Sequence, residues 1–217
     1  MGRRFVDQRR RDPYYRAAQR EGLRSRAAFK LAYLDDRFHL LRRGARVLDL
    51  GAAPGGWSVV ALERVGRGGA VVAVDPRPIE RAEGLVVVRA RVGDPSLAAR
   101  LGTGHFDVVL SDMSPSISGA YATDHARSVE LVRLALSLAR QVLAPRGAFA
   151  AKVFAGDMVD ELVREMHPFF ADVVRTKPPA SRAPSSEIYL VARGFRASAP
   201  GRESVKSPAG VRPDSDI

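Results

Sequence analysis

A chain of 217 residues with 46% apolar content can bury the core of one globular domain. It has no cysteine, which excludes disulfides and thiolate metal sites, and its four histidines (His39, His105, His125, His167) lack ligand spacing, so they read as surface or satisfied structural groups and no metal is expected. The formal charge of +11 is concentrated, residues 1–46 carrying a net +9, and a basic block on a near-neutral remainder points to a polyanionic partner such as nucleic acid.

The first residues lack the apolar core of a signal peptide and no apolar run approaches a membrane span, so the expectation is a cytoplasmic protein. Residues 1–24 are polar and rich in arginine. Tyr14 and Tyr15 interleave with these arginines, and Arg16, Arg20, Arg24 and Arg26 are the candidates for holding nucleic-acid phosphates. Residues 25–38 predict a helix, with Ser25 as its cap and an apolar face of Ala28, Phe29, Leu31 and Leu34. From Ala45 onward short apolar runs alternate with helical patterns. Strands are predicted over 45–50, 70–75, 85–89, 106–111, 148–154, 172–175 and 188–192. Their Val-rich continuous runs suit strands covered on both faces. Helices are predicted over 57–65, near 95–101, over 124–143 and over 157–167. The third has Asp124 as its N-cap and a stripe of Leu131, Leu134, Ala135, Leu138 and Val142. The alternation argues for a doubly wound α/β sheet in one domain over 25–196, with residues 197–217 a disordered tail.

The end of the first strand reads Asp49-Leu50-Gly51-Ala52-Ala53-Pro54-Gly55-Gly56-Trp57-Ser58. Small residues let backbone approach a ligand, the following helix directs N–H groups into the same space, and Pro54 stiffens the turn. Asp75 ends the second strand, where an acid can accept from ribose hydroxyls; Asp94 follows the third and suits an adenine amino group; Asp112 ends the fourth. No phosphate-binding GxxxxGK[ST] is present, and acids at successive strand ends suit a nucleoside with a sulfonium, S-adenosylmethionine, ahead of NAD. The expected cofactor residues are Gly51, Pro54, Gly55, Gly56, Trp57, Asp75, Asp94 and Asp112.

Lysine use adds a second signal. Of 35 basic residues only four are lysine, and Lys30 and Lys152 sit in apolar contexts. Where charge alone is needed this chain uses arginine, so these lysines are candidates for proton chemistry, which arginine cannot perform. Snorkelling at an element end is the alternative.

The sequence resembles the FtsJ/RrmJ (RlmE) family of ribosomal RNA ribose 2′-O-methyltransferases over about residues 14–194. The matching stretches are residues 22–31, Asp49 to Ser58, Ser111-Asp112-Met113, Ser118-Gly119, Lys152-Val153-Phe154 and Glu187 to Val191. The resemblance implies a single Rossmann-like methyltransferase domain, its mostly parallel seven-stranded sheet closing with an antiparallel last strand. It implies a catalytic tetrad of Lys30, Asp112, Lys152 and Glu187. Lys152 is then the general base, Lys30 steadies the hydroxyl, Asp112 positions Lys152, and Glu187 orients a lysine or the ribose. The implied reaction is methyl transfer from S-adenosylmethionine, leaving S-adenosylhomocysteine, to a uridine 2′-hydroxyl in the A loop of large-subunit ribosomal RNA, by a monomer. Transfer RNA as substrate, small-molecule methylation, and a non-catalytic ribosome-assembly role are the competing readings. Ser114, Ser116, Ala155 and Ser186 depart from the family pattern beside the site.

Overall fold

A computed structural model describes residues 27–102, 104–180 and 186–197. The segment 1–24 with Arg16, Arg20 and Arg24, the cap Ser25, Arg26, and the tail beyond 197 lie outside the described residues. In chain order the elements are α1 (Ala27–Phe38), β1 (Arg46–Leu50), α2 (Gly56–Val65), β2 (Ala70–Val74), β3 (Leu85–Val88) and α3 (Leu97–Arg100). They continue with β4 (Phe106–Ser111), α4 (Tyr121–Val142), β5 (Leu143–Phe154), α5 (Val159–Met166), β6 (Phe170–Thr176) and β7 (Glu187–Phe195).

The seven strands form one sheet in the order β3-β2-β1-β4-β5-β7-β6. Neighbours from β3 to β5 are parallel, whereas β7 runs antiparallel to both β5 and β6. The last strand thus slots between β5 and β6 rather than adding to an edge. Its reversal has a chemical consequence. Glu187, at the start of β7, pairs with Phe154 at the end of β5, and Tyr189 pairs with Lys152. The beginning of β7 therefore lies at the carboxyl edge of the parallel strands, the edge where open α/β sheets bind ligands.

Strand residues alternate between two cores. Leu48, Leu50, Val109, Phe149, Ala151 and Val153 pack under α4 and α5. Val47, Val108, Leu110, Ala150, Tyr189 and Val191 pack under α1 and α2. Burial on both sides explains why these strands read as continuous apolar runs. The same parity turns Asp49, Asp112, Lys152 and Glu187 toward the α1 side, where Leu31 and Leu34 anchor the helix that carries Lys30.

Two helix details differ from the sequence reading. Helix α4 starts at Tyr121, so Asp124 lies in its first turn and not at its N-cap. The Asp124 carboxylate instead accepts from the preceding loop: Ser118 N (2.8 Å), Ser118 Oγ (2.7 Å) and Gly119 N (3.1 Å). The buried stripe of α4 runs through Val129, Val132, Ala135, Leu136, Ala139 and Val142, while Leu134 is 42% exposed and Leu131 faces a cavity. Apolar residues cover more than one face of this helix, and helical periodicity alone does not say which face meets the sheet.

The single tryptophan belongs to the core between α1 and β7. Trp57 is 2% exposed, its indole N–H donates to Ala27 O (2.8 Å), and its ring lies 5.7 Å from that of Tyr189. Of the two roles open to Trp57, cofactor contact and packing, the side chain takes the packing one, and its backbone at the start of α2 is the part that remains open to a cofactor. Trp57→Ala is expected to cost about 3–5 kcal/mol by opening a cavity. A thermal melt indistinguishable from wild type would refute this packing role.

Candidate active site

A cavity of about 550 Å³ opens at the carboxyl ends of β1, β2 and β4, lined by Gly51, Asp75, Arg77, Arg91, Met113 and Leu131 among others. Gly51 is required there by sterics. Its φ is +73°, and a Cβ at this position would stand 2.6 Å from Met113 Cγ. The turn continues through a cis Ala53–Pro54 bond, and Gly55 with φ +111° leads into α2. Gly56 is buried at the first position of that helix.

Both oxygens of Asp75 are engaged at the cavity wall. Oδ1 accepts from Arg77 N (2.8 Å) and Arg77 Nε (3.1 Å); Oδ2 accepts from Ala53 N (3.1 Å) and Arg77 Nη2 (3.1 Å). Burial pushes the carboxyl up, but the hydrogen bonds from Arg77 and Ala53 outweigh it and hold the group below the usual carboxylate range. Arg77 is a residue that sequence reasoning missed. Asp94 follows β3 as expected but is not among the residues lining this cavity. Its Oδ1 is bonded by Ser96 N (2.9 Å) and Ser96 Oγ (2.8 Å), which fixes the turn into α3, and the cavity wall at this level is made by Arg91 and Val92.

Asp49 lies fully buried beneath the glycine-rich turn. Ser58 Oγ donates to its Oδ2 (2.6 Å), whereas Oδ1 has no hydrogen-bond partner. Burial pushes this carboxyl up to about 7, opposed by the Ser58 hydrogen bond and reinforced by the charges of Asp112 and Asp75. An acid whose folded pKa is raised takes up a proton on folding. Its stabilising contribution is therefore complete at acid pH and is lost as pH climbs from the usual carboxylate range to about 7. Asp49→Asn is expected to flatten the fall in melting temperature over that window. Parallel pH profiles for the two proteins would assign the fall to other groups.

Four ionisable groups meet beside this cavity. Lys30 Nζ stands 2.6 Å from Glu187 Oε2, and Lys152 Nζ stands 3.1 Å from Asp112 Oδ1 while donating to Asp112 O (2.9 Å). The lysines are 4% and 7% exposed, so each buried amine has a carboxylate in place of water as its partner. Tyr189 joins the two pairs. Its hydroxyl donates to Asp112 Oδ1 (2.9 Å), and its ring lies 5.8 Å from Lys30 Nζ. The available signal was its spacing: two residues after Glu187 on a strand, it shares that residue's face. Asp112 belongs to both features, since it also lines the cavity.

His125 serves the scaffold. It is 2% exposed, with Nδ1 against Phe154 O (2.9 Å) and Nε2 accepting from Met158 N (3.2 Å). Among the described residues no group of three or more His, Asp or Glu side chains is arranged to hold a metal ion. Among them, too, no helix is long and apolar enough to cross a membrane.

Residues 23–195 match the model of the FtsJ-like methyltransferase family. The chain belongs to that family. It is 47% identical over 196 residues to the ribosomal RNA large subunit methyltransferase E of Granulibacter bethesdensis, covering 89% of this chain and 84% of that protein. It is 45% identical over 202 residues to the protein of the same name from Methanothermobacter thermautotrophicus, covering 90% and 95%. A crystal structure from Plasmodium falciparum, described as a ribosomal RNA methyltransferase, superposes with a TM-score of 0.71 at 29% identity, covering 79% of this chain and 98% of that one. In this FtsJ-like methyltransferase Asp112 lies at the boundary of the cavity and the four-residue cluster.

Proposed function

We propose that the enzyme transfers a methyl group from S-adenosylmethionine to a ribose 2′-hydroxyl of RNA, at a uridine in the A loop of large-subunit ribosomal RNA. The observation that carries this reading is the coupled pair of buried lysine–carboxylate contacts, Lys152–Asp112 and Lys30–Glu187, at the rim of the cavity. The names of the relatives supply the ribosomal RNA. The reading extends to a cytoplasmic monomer acting on the large ribosomal subunit.

The cavity residues fit the cofactor. Gly51 leaves backbone open to it, and Asp75 offers acceptors for ribose hydroxyls once Arg77 yields. Gly55, Gly56 and the backbone of Trp57 supply the helix N-terminus, and Pro54 shapes the turn before it. Asp94 acts here through the turn it fixes, and the base end is left to Arg91 and Val92. Bound S-adenosylmethionine supplies an electrophilic methyl group and leaves as S-adenosylhomocysteine.

The chain's own part is proton chemistry. Lys152, unprotonated, takes the proton of the 2′-hydroxyl as the new O–CH₃ bond forms, and later returns it to solvent. Asp112 fixes Lys152 through both its carboxylate and its carbonyl, and Tyr189 fixes Asp112. Lys30, held by Glu187, keeps positive charge near the oxygen while the O–H bond breaks.

The test is transfer of labelled methyl to unmodified large ribosomal subunits, free transfer RNA and a no-RNA control. Label in the subunits at a site resistant to alkaline cleavage is the expected result. Label in transfer RNA would change the substrate, and label in neither would leave a non-catalytic RNA-binding role.

The basic segment supplies the RNA grip in this reading. Arg16, Arg20, Arg24 and Arg26 precede α1 and its Lys30. Each lost phosphate contact lowers the salt slope of RNA binding by roughly 0.7–0.9. The triple variant Arg16→Glu, Arg20→Glu, Arg24→Glu is expected to bind RNA weakly and with a flatter salt dependence, at unchanged cofactor affinity. Wild-type affinity and slope would reduce the segment to a solvated face.

A further inference from the structure

The two lysines of the tetrad are buried, yet two large apolar side chains stand in solvent on the loop and helix that follow β4. Tyr121 is 61% exposed and Ile117 is 66% exposed. Neither is loosely held. The Tyr121 hydroxyl donates to Ala155 O, and its ring stacks on His125 at 6.2 Å with 12° between the planes. His125 is in turn locked between Phe154 O and Met158 N. A fixed imidazole therefore lies alongside the tyrosine ring in an offset stack, and the side chain as a whole remains mostly open. Ile117 rides the loop between β4 and α4, which the Asp124 carboxylate pins through Ser118 and Gly119 and which Arg127 reaches at Ser116 O (3.5 Å).

Their placement follows the two strands that deliver the proton-transfer pair. Ile117 lies five residues beyond Asp112, and Ala155, the anchor of Tyr121, lies three residues beyond Lys152. Three residues of extended chain span about 10 Å, the scale of neighbouring nucleotides in a strand. A ribose can bring its hydroxyl to Lys152, itself 7% exposed, only if its nucleotide is drawn out of a helical stack. The displaced base then needs a new stacking partner, and a rigid, open aromatic ring is the side chain suited to that.

We propose that Tyr121, flanked by Ile117, is a stacking platform for an unpaired nucleobase of the RNA strand entering the tetrad. The inference rests on the RNA-methylating reading above. The occupant is a base rather than a protein side chain because the platform follows the strand ends that carry Asp112 and Lys152, with the Arg127 guanidinium beside the loop. Tyr121 acts on binding and leaves the bond-making atoms to the tetrad.

The experiment measures methylation of unmodified large ribosomal subunits by the full chain and its variants. It also follows the fluorescence of a short single-stranded RNA carrying 2-aminopurine, which stacking quenches. Tyr121→Ala is expected to raise KM for the subunits by about tenfold with kcat little changed, and to lose the quenching. Tyr121→Phe keeps the ring without the hydroxyl and should stay close to wild type in both readouts. Tyr121→Leu keeps apolar contact on His125 without an aromatic face and should behave like the alanine variant, which covers the case of a poorly folded Tyr121→Ala. Cofactor affinity is the control for all three. A wild-type KM and wild-type quenching in Tyr121→Leu overturn the platform. So does a Tyr121→Phe variant as impaired as Tyr121→Ala, since the hydroxyl contact to Ala155 would then be what matters. A wild-type enzyme that methylates no RNA overturns the functional reading itself, a result distinguishable from either.

Discussion

Lys152→Ala is expected to abolish methyl transfer, with kcat lower by about 10²–10⁴-fold and S-adenosylmethionine affinity changed no more than a few-fold. That range is what a positioned general base supplies, and the group acts on the transition state rather than on cofactor binding. The structure sharpens the companion variant. Lys152→Arg can keep a nitrogen donor against Asp112, now 3.1 Å from the lysine nitrogen, so the contact with the carboxylate survives. Arginine cannot accept the hydroxyl proton, and the variant should be nearly as inactive as alanine. Single-turnover rates across neutral pH make the comparison. Substantial transfer by the arginine enzyme would sink the general-base role and leave Lys152 as an electrostatic group.

Asp75→Ala is expected to weaken S-adenosylmethionine binding by roughly 10- to 100-fold, since hydrogen bonds to a charged acceptor contribute about 1.5–3 kcal/mol. Arg77 complicates the site in a testable way. It occupies both carboxylate oxygens, so the ribose hydroxyls must displace some of its contacts. Arg77→Ala should therefore bind the cofactor at least as well as wild type, in contrast to the acid variant. The direction of the pKa sets the pH dependence. A carboxyl held below its usual range stays ionised as pH falls to that range, so the Asp75 contribution should persist across neutral and mildly acidic pH and vanish only at lower pH. Calorimetry on both variants decides the matter. Unchanged affinity in Asp75→Ala, with the fold intact, would remove the acid from the cofactor site.

Much of this site was readable from local pattern. The turn from Asp49 to Ser58 announced itself because small residues between a strand and a helix have few other uses. Lys30 and Lys152 stood out against an arginine-rich background, and Asp75 and Asp112 by their places at strand ends. Asp94 shows what local pattern leaves open. An acid two residues before a serine can satisfy its own turn, and here it does, leaving Arg91 and Val92 at the wall. A position in a glycine-rich loop likewise does not say which way a large side chain points; burial drew the Trp57 indole under α1.

By itself the sequence determined the strands, the turn chemistry and the alternation of faces along each strand, since all of these are set by residues within a few positions of one another. Only the tertiary structure decided which stripe of α4 meets the sheet and which lysine pairs with which acid. Lys30 and Glu187 are 157 residues apart, and their 2.6 Å contact exists because β7 enters antiparallel between β5 and β6. Strand order, direction and register are settled by the collective packing of two cores, and a one-residue slip in β7 would turn Glu187 and Tyr189 to the opposite face from Lys152.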